Sequence, residues 1–373
     1  AKCGVVRRSV AALIWQDGSV MQDQKEIAVA WQTEYPQAVG NSLGYSYHND
    51  NAREAMVAEG VRMDADAPVA VHVCPPHRFE PVPGKASVVY CAWEAPQLPE
   101  NFRVLKDAAA VCVTATYLVE PFRQLLGDVP VHYVPLGVKS DVFRYVDRRM
   151  NKRRPVIRPR SDKPFRFLWV GAPNARKGAM HVMEAWKVFD GMPGVELYLK
   201  TTVPPDSPDR EKVTRIGNVI TDTRKVPIDE LVRLYHSAHC FVFPSVAEGF
   251  GLTLGEALAT GLPAIVCPWS SMPDLVPNDQ YGYHVRFKTI KDCWTWEDSD
   301  GYGTPMVADV EIANPDTAHL AEQMIRVARD PLAAFDVGLR GSERIRTQFT
   351  WKRCGQSLRK VVEEVYEQSA VAA

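Results

Sequence analysis

The segment Phe243–Pro263, FPSVAEGFGLTLGEALATGLP, constrains the fold of this chain more than any other stretch. The apolar run Cys240 to Phe243 predicts a strand, and Leu252 to Thr260 predicts a helix that Gly261 and Pro263 end. The turn between them is rich in glycine, so its backbone N–H groups and the helix dipole form a site that favours an anion. The sequence therefore predicts an α/β domain with a phosphate-binding turn.

Two glutamates of this segment, Glu248 in the turn and Glu256 in the helix, stand eight positions apart. Glu256 lies about four residues into the helix, which is roughly 6 Å along the axis at 1.5 Å rise per residue. That length suits the span from a bound diphosphate to the ribose of a nucleotide, whose hydroxyls can donate to a carboxylate. Glu248 stays on the loop, on the other side of the phosphates. The pattern suggests a site that holds a nucleotide sugar end to end.

The same segment resembles the E-x7-E signature of retaining glycosyltransferases with the GT-B architecture, the glycosyl transferase group 1 type. Three further stretches carry the resemblance: the helix and strand Leu231–Ser245, the first strand and phosphate loop Phe167–Met180, and the linker entry Pro135–Val138 with Phe143. Lys139 stands where the family's linker entry usually has aspartate. The resemblance covers most of residues 130–275.

The resemblance implies an α/β protein of GT-B architecture, with two Rossmann-like parallel-sheet domains that face each other across a cleft. The alternation of predicted strands and helices is also typical of a parallel α/β protein. We expect an N-terminal acceptor-side domain at 1–145, a basic linker at 146–164 and a C-terminal nucleotide-sugar-binding domain at 165–350. In the family, a last helix like that predicted at 351–368 packs back onto the N-terminal domain.

The resemblance also implies roles for residues of the C-terminal half. An arginine and a lysine of the family's phosphate loop clamp the donor diphosphate, and Lys177 matches that lysine. Ala172 stands where the arginine is usual, so Arg176 would supply the charge from a shifted position; two exposed basic residues at a helix start are the alternative, which the dipole disfavours. Such cations stabilise charge that grows as the diphosphate departs. We assign catalysis to Lys177, Arg176 and Glu248, and donor binding to Glu256, Gly249, Phe250, Gly251, Leu252, Thr253 and Gly171.

Two N-terminal segments are candidates for the acceptor or sugar side. Glu94 follows the predicted strand Ser87 to Trp93 and so stands at the carboxyl edge of the sheet, where ligands bind; a salt bridge at the strand end is the alternative. The segment Gly40 to His48 resembles the family's glycine-rich first loop, before a helix predicted from Asn49 to Glu59. An ordinary turn with a helix cap is the alternative there. The candidates are Glu94, Trp93 (or a core position for it), Gly44, Tyr45 and His48.

The run Arg148 to Lys163 holds eight Lys or Arg among sixteen residues. A solvated linker is the favoured interpretation, and a patch that meets nucleic acid or anionic lipid is the alternative. No aromatic residue interrupts the run, which argues against base stacking there. The net charge of the chain is −1, so no overall attraction draws it to nucleic acid.

Membrane and compartment signals are weak in this sequence. No apolar run approaches 18 residues, which predicts no transmembrane segment, and the N-terminal apolar stretch is shorter than a signal peptide needs. Eight cysteines lack a C-x-x-C pair, and several fall in apolar runs. Buried free thiols and a cytoplasmic location are therefore expected, with a peripheral association with a membrane left open. The segment 288–309 is an insertion whose role the sequence does not identify.

The resemblance thus implies a retaining glycosyltransferase that moves a sugar from a UDP- or GDP-sugar to an acceptor hydroxyl. It also implies no obligatory metal, and the D-x-D element at Asp298–Asp300 lies in a late loop that would not hold one. We expect no cofactor beyond the donor. A glycan, a small molecule or a lipid-linked sugar is the favoured acceptor. Two alternatives stay open: an enzyme that glycosylates modified bases in DNA, and a non-catalytic nucleotide-sugar-binding protein on the same fold.

Overall fold

The structure, a computed structural model, consists of two α/β domains, each built on its own parallel sheet. It describes residues 26–32, 43–150, 164–203, 207–296 and 306–372. Each domain follows the predicted alternation of strand and helix, so the predicted α/β class is confirmed. Strands such as Val69–Val73 and Cys240–Phe243 are buried at every position. Continuous apolar runs of this kind suit parallel sheets that are covered on both faces.

The N-terminal sheet has six parallel strands in the order β2-β1-β3-β4-β5-β6. Its strands are β1 (Ile27–Gln32), β2 (Val61–Met63), β3 (Val69–Val73), β4 (Ala86–Cys91), β5 (Ala110–Val113) and β6 (Val131–Tyr133), and its α-helices are α1 (Leu43–Ala58) and α2 (Val119–Leu126). Short 3-10 helices at Pro76–Arg78, Glu100–Asp107 and Thr116–Leu118 complete the connections.

The C-terminal sheet has seven strands in the order β13-β12-β11-β7-β8-β10-β9, of which β9 runs antiparallel to β10. Its strands are β7 (Phe165–Val170), β8 (Val195–Lys200), β9 (Val213–Ile216), β10 (Val219–Asp222), β11 (Cys240–Phe243), β12 (Ala264–Val266) and β13 (Tyr283–His284). Its α-helices are α3 (Ala179–Trp186), α4 (Ile228–Ser237), α5 (Leu252–Ala259), α6 (Met272–Leu275), α7 (Thr317–Arg329) and α8 (Pro331–Gln348).

The unexplained insertion forms part of an antiparallel hairpin, β14 (Phe287–Trp296) with β15 (Met306–Pro315), whose connecting residues 297–305 lie outside the described part of the chain. The hairpin is anchored near the middle of β15. Val310 and Ile312 are buried, and the Glu311 N–H donates to the Gln97 side-chain oxygen at 2.7 Å. The hairpin therefore contacts the loop that follows Glu94.

The last helix, α9 (Trp351–Ala372), returns to the N-terminal domain. Arg359 donates to the carbonyl of Glu59, and the Tyr366 hydroxyl donates to the carbonyl of Ala28. The helix starts against Gly137, where an added Cβ would lie 2.2 Å from the backbone nitrogen of Trp351. Only glycine leaves room for that approach.

Residues 43–48 belong to α1 and not to the predicted loop, because α1 already begins at Leu43; residues 40–42 lie outside the described chain. The polar residues that suggested a turn and a cap find partners in α1 itself and in strand β1. The Trp31 indole donates to Asn49 Oδ1 at 2.9 Å, and the Asn51 amide donates to the carbonyl of Tyr47 at 2.6 Å. Tertiary contacts thus override a local preference for a turn.

Arg148 does not belong to a solvated run, because it is 7% exposed. Its guanidinium donates to the carbonyls of Thr260 at 2.5 Å, Tyr235 at 3.0 Å and Ala238 at 3.3 Å. Those carbonyls lie at the C-terminal ends of α5 and α4, where the helix dipoles favour a cation. Burial lowers the pKa of Arg148 to about 10. Residues 151–163, the rest of the predicted linker, lie outside the described chain.

The expectations about the cysteines and about membrane-spanning segments can be compared with the described residues. Six cysteines in this part of the chain are buried free thiols, whereas Cys293 is exposed. Among the same residues, no helix combines the length and the apolar character that crossing a bilayer requires.

Candidate active site

The phosphate loop after β7 is shaped by Asn174 and Gly178. The Asn174 side chain accepts from the Lys177 backbone N–H at 3.2 Å and caps a short 3-10 helix. Gly178 has φ +75°, and a Cβ there would lie 2.2 Å from the carbonyl oxygen of Pro244. The loop can therefore close onto the end of β11 only with glycine at this position. This closure brings Lys177 over the segment that carries Glu248.

The turn between β11 and α5 is buried and meets the N-terminal domain. Gly251 caps α5 with φ +90°. The Thr114 hydroxyl donates to the carbonyl of Gly249 at 2.7 Å, and a Cβ on Gly249 would lie 3.2 Å from both Ala92 Cβ and the Trp93 carbonyl oxygen. The carboxyl edges of the two sheets therefore touch at the turn that the sequence assigned to the donor.

Four charged side chains form one cluster at this contact. Lys177 Nζ lies 2.6 Å and 2.8 Å from the two carboxylate oxygens of Glu248, and the Ser245 hydroxyl donates to the same carboxylate at 2.8 Å. Arg176 lies 3.5 Å from Glu248 and 3.4 Å from Glu94 of the N-terminal domain. Two carboxylates and two cations therefore balance each other. The structure brings together Lys177, Arg176, Glu248 and Glu94, which the sequence had assigned to two different sides of the site.

Burial and pairing act in opposite directions on this cluster. Burial would raise the pKa of Glu248, but the charges of Lys177 and Arg176 outweigh it and lower that pKa below its usual value, so the carboxylate is ionised at neutral pH. Burial lowers the pKa of Lys177, against a partial opposing effect of Glu248. Glu94 and Glu248 raise the pKa of Arg176 despite its burial. The cluster therefore holds two cations, Lys177 and Arg176, in fixed positions against two carboxylates, Glu248 and Glu94.

Glu256 lies on the second turn of α5, half-buried, and accepts a hydrogen bond of 3.0 Å from the Tyr235 hydroxyl. Burial raises its pKa to about 7, and the Tyr235 hydrogen bond only partly opposes this. Across the cleft, burial and then the charge of Glu256 raise the pKa of Tyr47 on α1 to about 12. Glu256 therefore faces the opening between the domains and is poorly satisfied as an anion.

This pKa predicts a pH-dependent stability for Glu256→Gln. The carboxyl is neutral in both folded and unfolded chains below its usual pKa near 4.5, and above that value the unfolded chain ionises first, so its contribution to stability falls as pH rises toward 7. After a discount for its partial exposure, we expect the variant to be more stable than the wild type at pH 8 by about 1–2 kcal/mol and unchanged near pH 4.5. Denaturant midpoints at the two pH values check this. An equal change at both would contradict it.

The remaining donor-side residues lie around this turn. Phe250 is buried, with its ring 6.1 Å from that of Phe349, while Leu252 and Thr253 are half-buried on the first turn of α5. A Cβ on Gly171 would lie 2.8 Å from the Trp169 ring, so this glycine permits tight packing beside Lys177.

The acceptor-side candidates separate into two groups. Glu94 reaches the charge cluster, and Gly44 is exposed with no atom within 4 Å of an added Cβ. Trp93 is 4% exposed and meets Phe102 edge-on, so its ring belongs to the core of the N-terminal domain. His48 is buried edge-on against Tyr90, and burial lowers its pKa to about 3. The positions of Trp93 and His48 do not support contact with an acceptor.

Tyr45 has a different role from the predicted one, and several further residues that shape the site were not assigned to it from the sequence. The Tyr45 hydroxyl, assigned to the acceptor, instead donates to the Ala92 carbonyl at 2.8 Å and accepts from its N–H at 2.9 Å. The Tyr117 hydroxyl donates to the Trp93 carbonyl at 2.6 Å, and the Ser270 hydroxyl accepts from the Glu248 N–H at 2.8 Å. Only Ser245, inside the recognised segment, carried a signal. Tyr117 and Ser270 are brought in by the fold.

In the described ranges, no group of three or more His, Cys, Asp or Glu side chains is arranged to hold a metal ion. The D-x-D element at Asp298–Asp300 lies outside those ranges.

Part of the C-terminal domain matches a known protein family in sequence. Residues 164–293 match the family model described as Glycosyl transferases group 1. This region is therefore similar in sequence to the glycosyl transferases of group 1. It contains Lys177, Arg176, Glu248 and Glu256.

Curated relatives agree over parts of the chain. The MMP α-(1→4)-mannosyltransferase of Mycolicibacterium hassiacum is 28% identical over 200 residues, which are 53% of this chain and 43% of the relative. The sulfoquinovosyl transferase SQD2 of Arabidopsis thaliana is 30% identical over 165 residues, 43% of this chain and 31% of the relative. The chain therefore spans less than half the length of these relatives. The α-maltose-1-phosphate synthase of Mycolicibacterium smegmatis is 22% identical over 79% of this chain and 73% of its own.

Solved structures show the fold. A sucrose-phosphate synthase from Thermosynechococcus elongatus superposes with a TM-score of 0.58 at 18% identity, covering 90% of this chain and 81% of that one. HepE of Anabaena, solved with UDP, gives a TM-score of 0.61 at 9% identity, covering 91% of this chain and 100% of that one. The two parallel-sheet domains of this chain therefore have the GT-B architecture.

Proposed function

We propose that this protein is a retaining glycosyltransferase that transfers a sugar from a UDP- or GDP-sugar to an acceptor hydroxyl without a metal. One observation carries the proposal: Lys177 and Arg176 lie against the glycine-rich turn before α5, where the carboxyl edges of the two sheets meet. Ligands of open α/β sheets bind at such edges. The group 1 family match over the same residues supports a sugar nucleotide as the ligand.

The donor is placed by three groups in this proposal. The diphosphate lies at the turn and the N-terminus of α5, whose free N–H groups favour an anion. Lys177 and Arg176 supply the positive charge, and Glu256 accepts from the ribose hydroxyls. Because negative charge grows on the diphosphate as its bond to the sugar breaks, cations at that point stabilise the transition state more than the bound donor.

The transfer follows a front-face displacement. The bond from the anomeric carbon to the diphosphate oxygen breaks, and the acceptor oxygen forms its bond on the same face of an oxocarbenium-like sugar. The acceptor proton passes to the departing diphosphate oxygen. Main-chain groups near Glu248 and Gly249 hold the sugar hydroxyls. The configuration at the anomeric carbon is retained.

The experiment that tests this proposal is a panel of UDP- and GDP-sugars. A donor at 100 times its dissociation constant should stabilise the protein by about 2.7 kcal/mol, which a thermal shift detects. The donor found is then offered with glycan, small-molecule and lipid-linked acceptors in the presence of EDTA, and the anomeric configuration of the product is read by NMR. An inverted product, or activity that EDTA abolishes, would contradict the mechanism.

A non-catalytic nucleotide-sugar-binding protein on the same fold is separated by donor hydrolysis, since fold does not fix function. The presence of Glu248, Glu256 and Lys177 together favours catalysis. A donor that binds but is neither hydrolysed nor transferred would favour the binding protein instead.

The DNA-modifying alternative depends on the basic run, and Arg148, the first residue of that run, is buried and donates to the carbonyl of Thr260 in the C-terminal domain. We expect no tight binding to duplex DNA. Gel shifts with the wild type and with a triple variant, Arg153→Ala, Arg154→Ala and Arg158→Ala, test this across salt concentrations. Each phosphate contact would give a slope of about −0.9 in log affinity against log salt. Micromolar, salt-steep binding that the triple variant loses would favour the alternative.

A further inference from the structure

Arg176 lies between two carboxylates that come from different domains. Its guanidinium is 3.5 Å from Glu248 on the donor turn and 3.4 Å from Glu94 at the end of the N-terminal sheet. It also donates to the carbonyl of Ala247 at 2.9 Å. The side chains of Arg176 and Glu94 are 24% and 28% exposed, so the pair is partly open to solvent and to ligands.

The backbone beside Glu94 is held firmly. The Tyr45 hydroxyl bonds to both the N–H and the carbonyl of Ala92, and the Tyr117 hydroxyl donates to the carbonyl of Trp93. The same Trp93 carbonyl oxygen lies against Gly249 of the donor turn. The distance from Glu94 to Arg176 is therefore set by how closely the two domains meet.

The charges of the cluster set a limit on what can bind. Two carboxylates already neutralise the two cations, so a diphosphate that enters beside Arg176 meets the like charge of Glu94 at close range. Repulsion between like charges at such distances opposes binding, and it is relieved when the carboxylate turns away. Glu248 also contacts Lys177 and Ser245. Among the described residues, Glu94 forms an ion pair with Arg176 only.

We propose that Glu94 competes with the donor diphosphate for Arg176, so that donor binding releases the Glu94 carboxylate toward the acceptor. The inference rests on the proposed function and deepens it. Once released, the carboxylate accepts a hydrogen bond from the acceptor hydroxyl. Glu94 is then a positioning residue. While it is paired with Arg176 it is not available to the acceptor, so the acceptor binds after the donor.

The test is the affinity of Glu94→Gln for UDP, GDP and inorganic pyrophosphate, measured by calorimetry at fixed ionic strength. Removing the competing charge from a partly exposed pair should tighten diphosphate binding by about three- to tenfold. Turnover should fall, because the amide no longer offers the acceptor a carboxylate. Glu100→Gln is the matched control, since Glu100 is an exposed carboxylate of the same domain paired with Arg103. That control should leave both quantities unchanged.

A double-mutant cycle tests whether the tighter pyrophosphate binding of Glu94→Gln depends on Arg176. In an Arg176→Ala background, Glu94→Gln should no longer tighten pyrophosphate binding, because the shared cation is gone. Unchanged or weaker diphosphate binding by Glu94→Gln would overturn the proposal, and so would the same gain in both backgrounds. Failure of both the wild type and the variant to bind any of the three probes would overturn it as well.

These outcomes separate the competition from the proposed function. A gain in pyrophosphate affinity by Glu94→Gln, in a protein that consumes no sugar nucleotide, supports the competition and rejects the glycosyltransferase. Normal sugar transfer by the wild type without a gain in the variant rejects the competition and leaves the transferase standing.

Discussion

Lys177→Ala is expected to lower kcat by about 100-fold or more while weakening ground-state donor binding less. The charge that Lys177 faces grows during bond breaking, so its loss acts mainly on the transition state. In the structure the same ammonium neutralises the buried Glu248 at 2.6 Å. The variant would therefore also leave a buried carboxylate without its closest partner, which is strongly destabilising. Single-turnover kinetics with the donor identified by the panel measure the effect on the chemical step.

A second substitution separates the two consequences. Lys177→Ala combined with Glu248→Gln should recover thermal stability, because the unpaired charge is gone, but it should not recover kcat. Lys187→Ala, an exposed lysine paired with Glu184, serves as the control and should be neutral. Near-normal kcat with only a raised KM in Lys177→Ala would show that the lysine binds the donor without stabilising its departure.

Sequence patterns predicted the sheets well because their strands are buried on both faces. The apolar run Cys240–Phe243, for example, forms a strand with the bounds that the sequence indicated. Glycines with a steric requirement were equally informative, since Gly251 marks the start of α5 and Gly261 follows its end. A continuous apolar run next to a required glycine leaves few structural alternatives.

Features that depend on distant contacts were not predictable. The polar stretch around Asn49 resembles a turn until Trp31 is found to donate to it. Arg148 resembles a solvated charge until two helix C-termini supply its acceptors. The pair between Arg176 and Glu94 joins residues far apart in the chain. In each case the partner residue depends on how helices and strands pack together, and the local sequence pattern does not determine that packing.

The cluster also alters how the two signature glutamates should be understood. Glu248 is an ionised carboxylate paired with Lys177 and Arg176, the two cations that the proposal assigns to the diphosphate. Glu256 is half-buried, and its pKa is raised to about 7. The two residues therefore cannot have equivalent roles, although the sequence spacing treats them as a pair. In the proposed mechanism, Glu248 therefore orients Lys177 and Arg176, and Glu256 contacts the donor.

Glu256→Gln is expected to weaken UDP or GDP and the matching sugar nucleotide alike, by about 10- to 150-fold at pH 8. A charge-assisted hydrogen bond contributes about 1.5–3 kcal/mol, and the bond to the ribose is present in both ligands. At pH 8 the wild-type carboxyl, with its pKa of about 7, is ionised and accepts from the ribose. Near pH 6 it is mostly protonated in the free protein, so the difference between wild type and variant should narrow.

Inorganic pyrophosphate provides the internal control, because it has no ribose and its affinity should be the same for the wild type and Glu256→Gln. Glu343→Gln, an exposed carboxylate on α8, should change neither affinity. Calorimetric titrations at pH 6 and pH 8 distinguish the possible roles of the carboxylate. Loss of pyrophosphate affinity in Glu256→Gln would mean that the carboxylate supports the phosphate turn. Unchanged nucleotide affinity at pH 8 would remove Glu256 from the donor site, since the proposed bond to the ribose would then be absent.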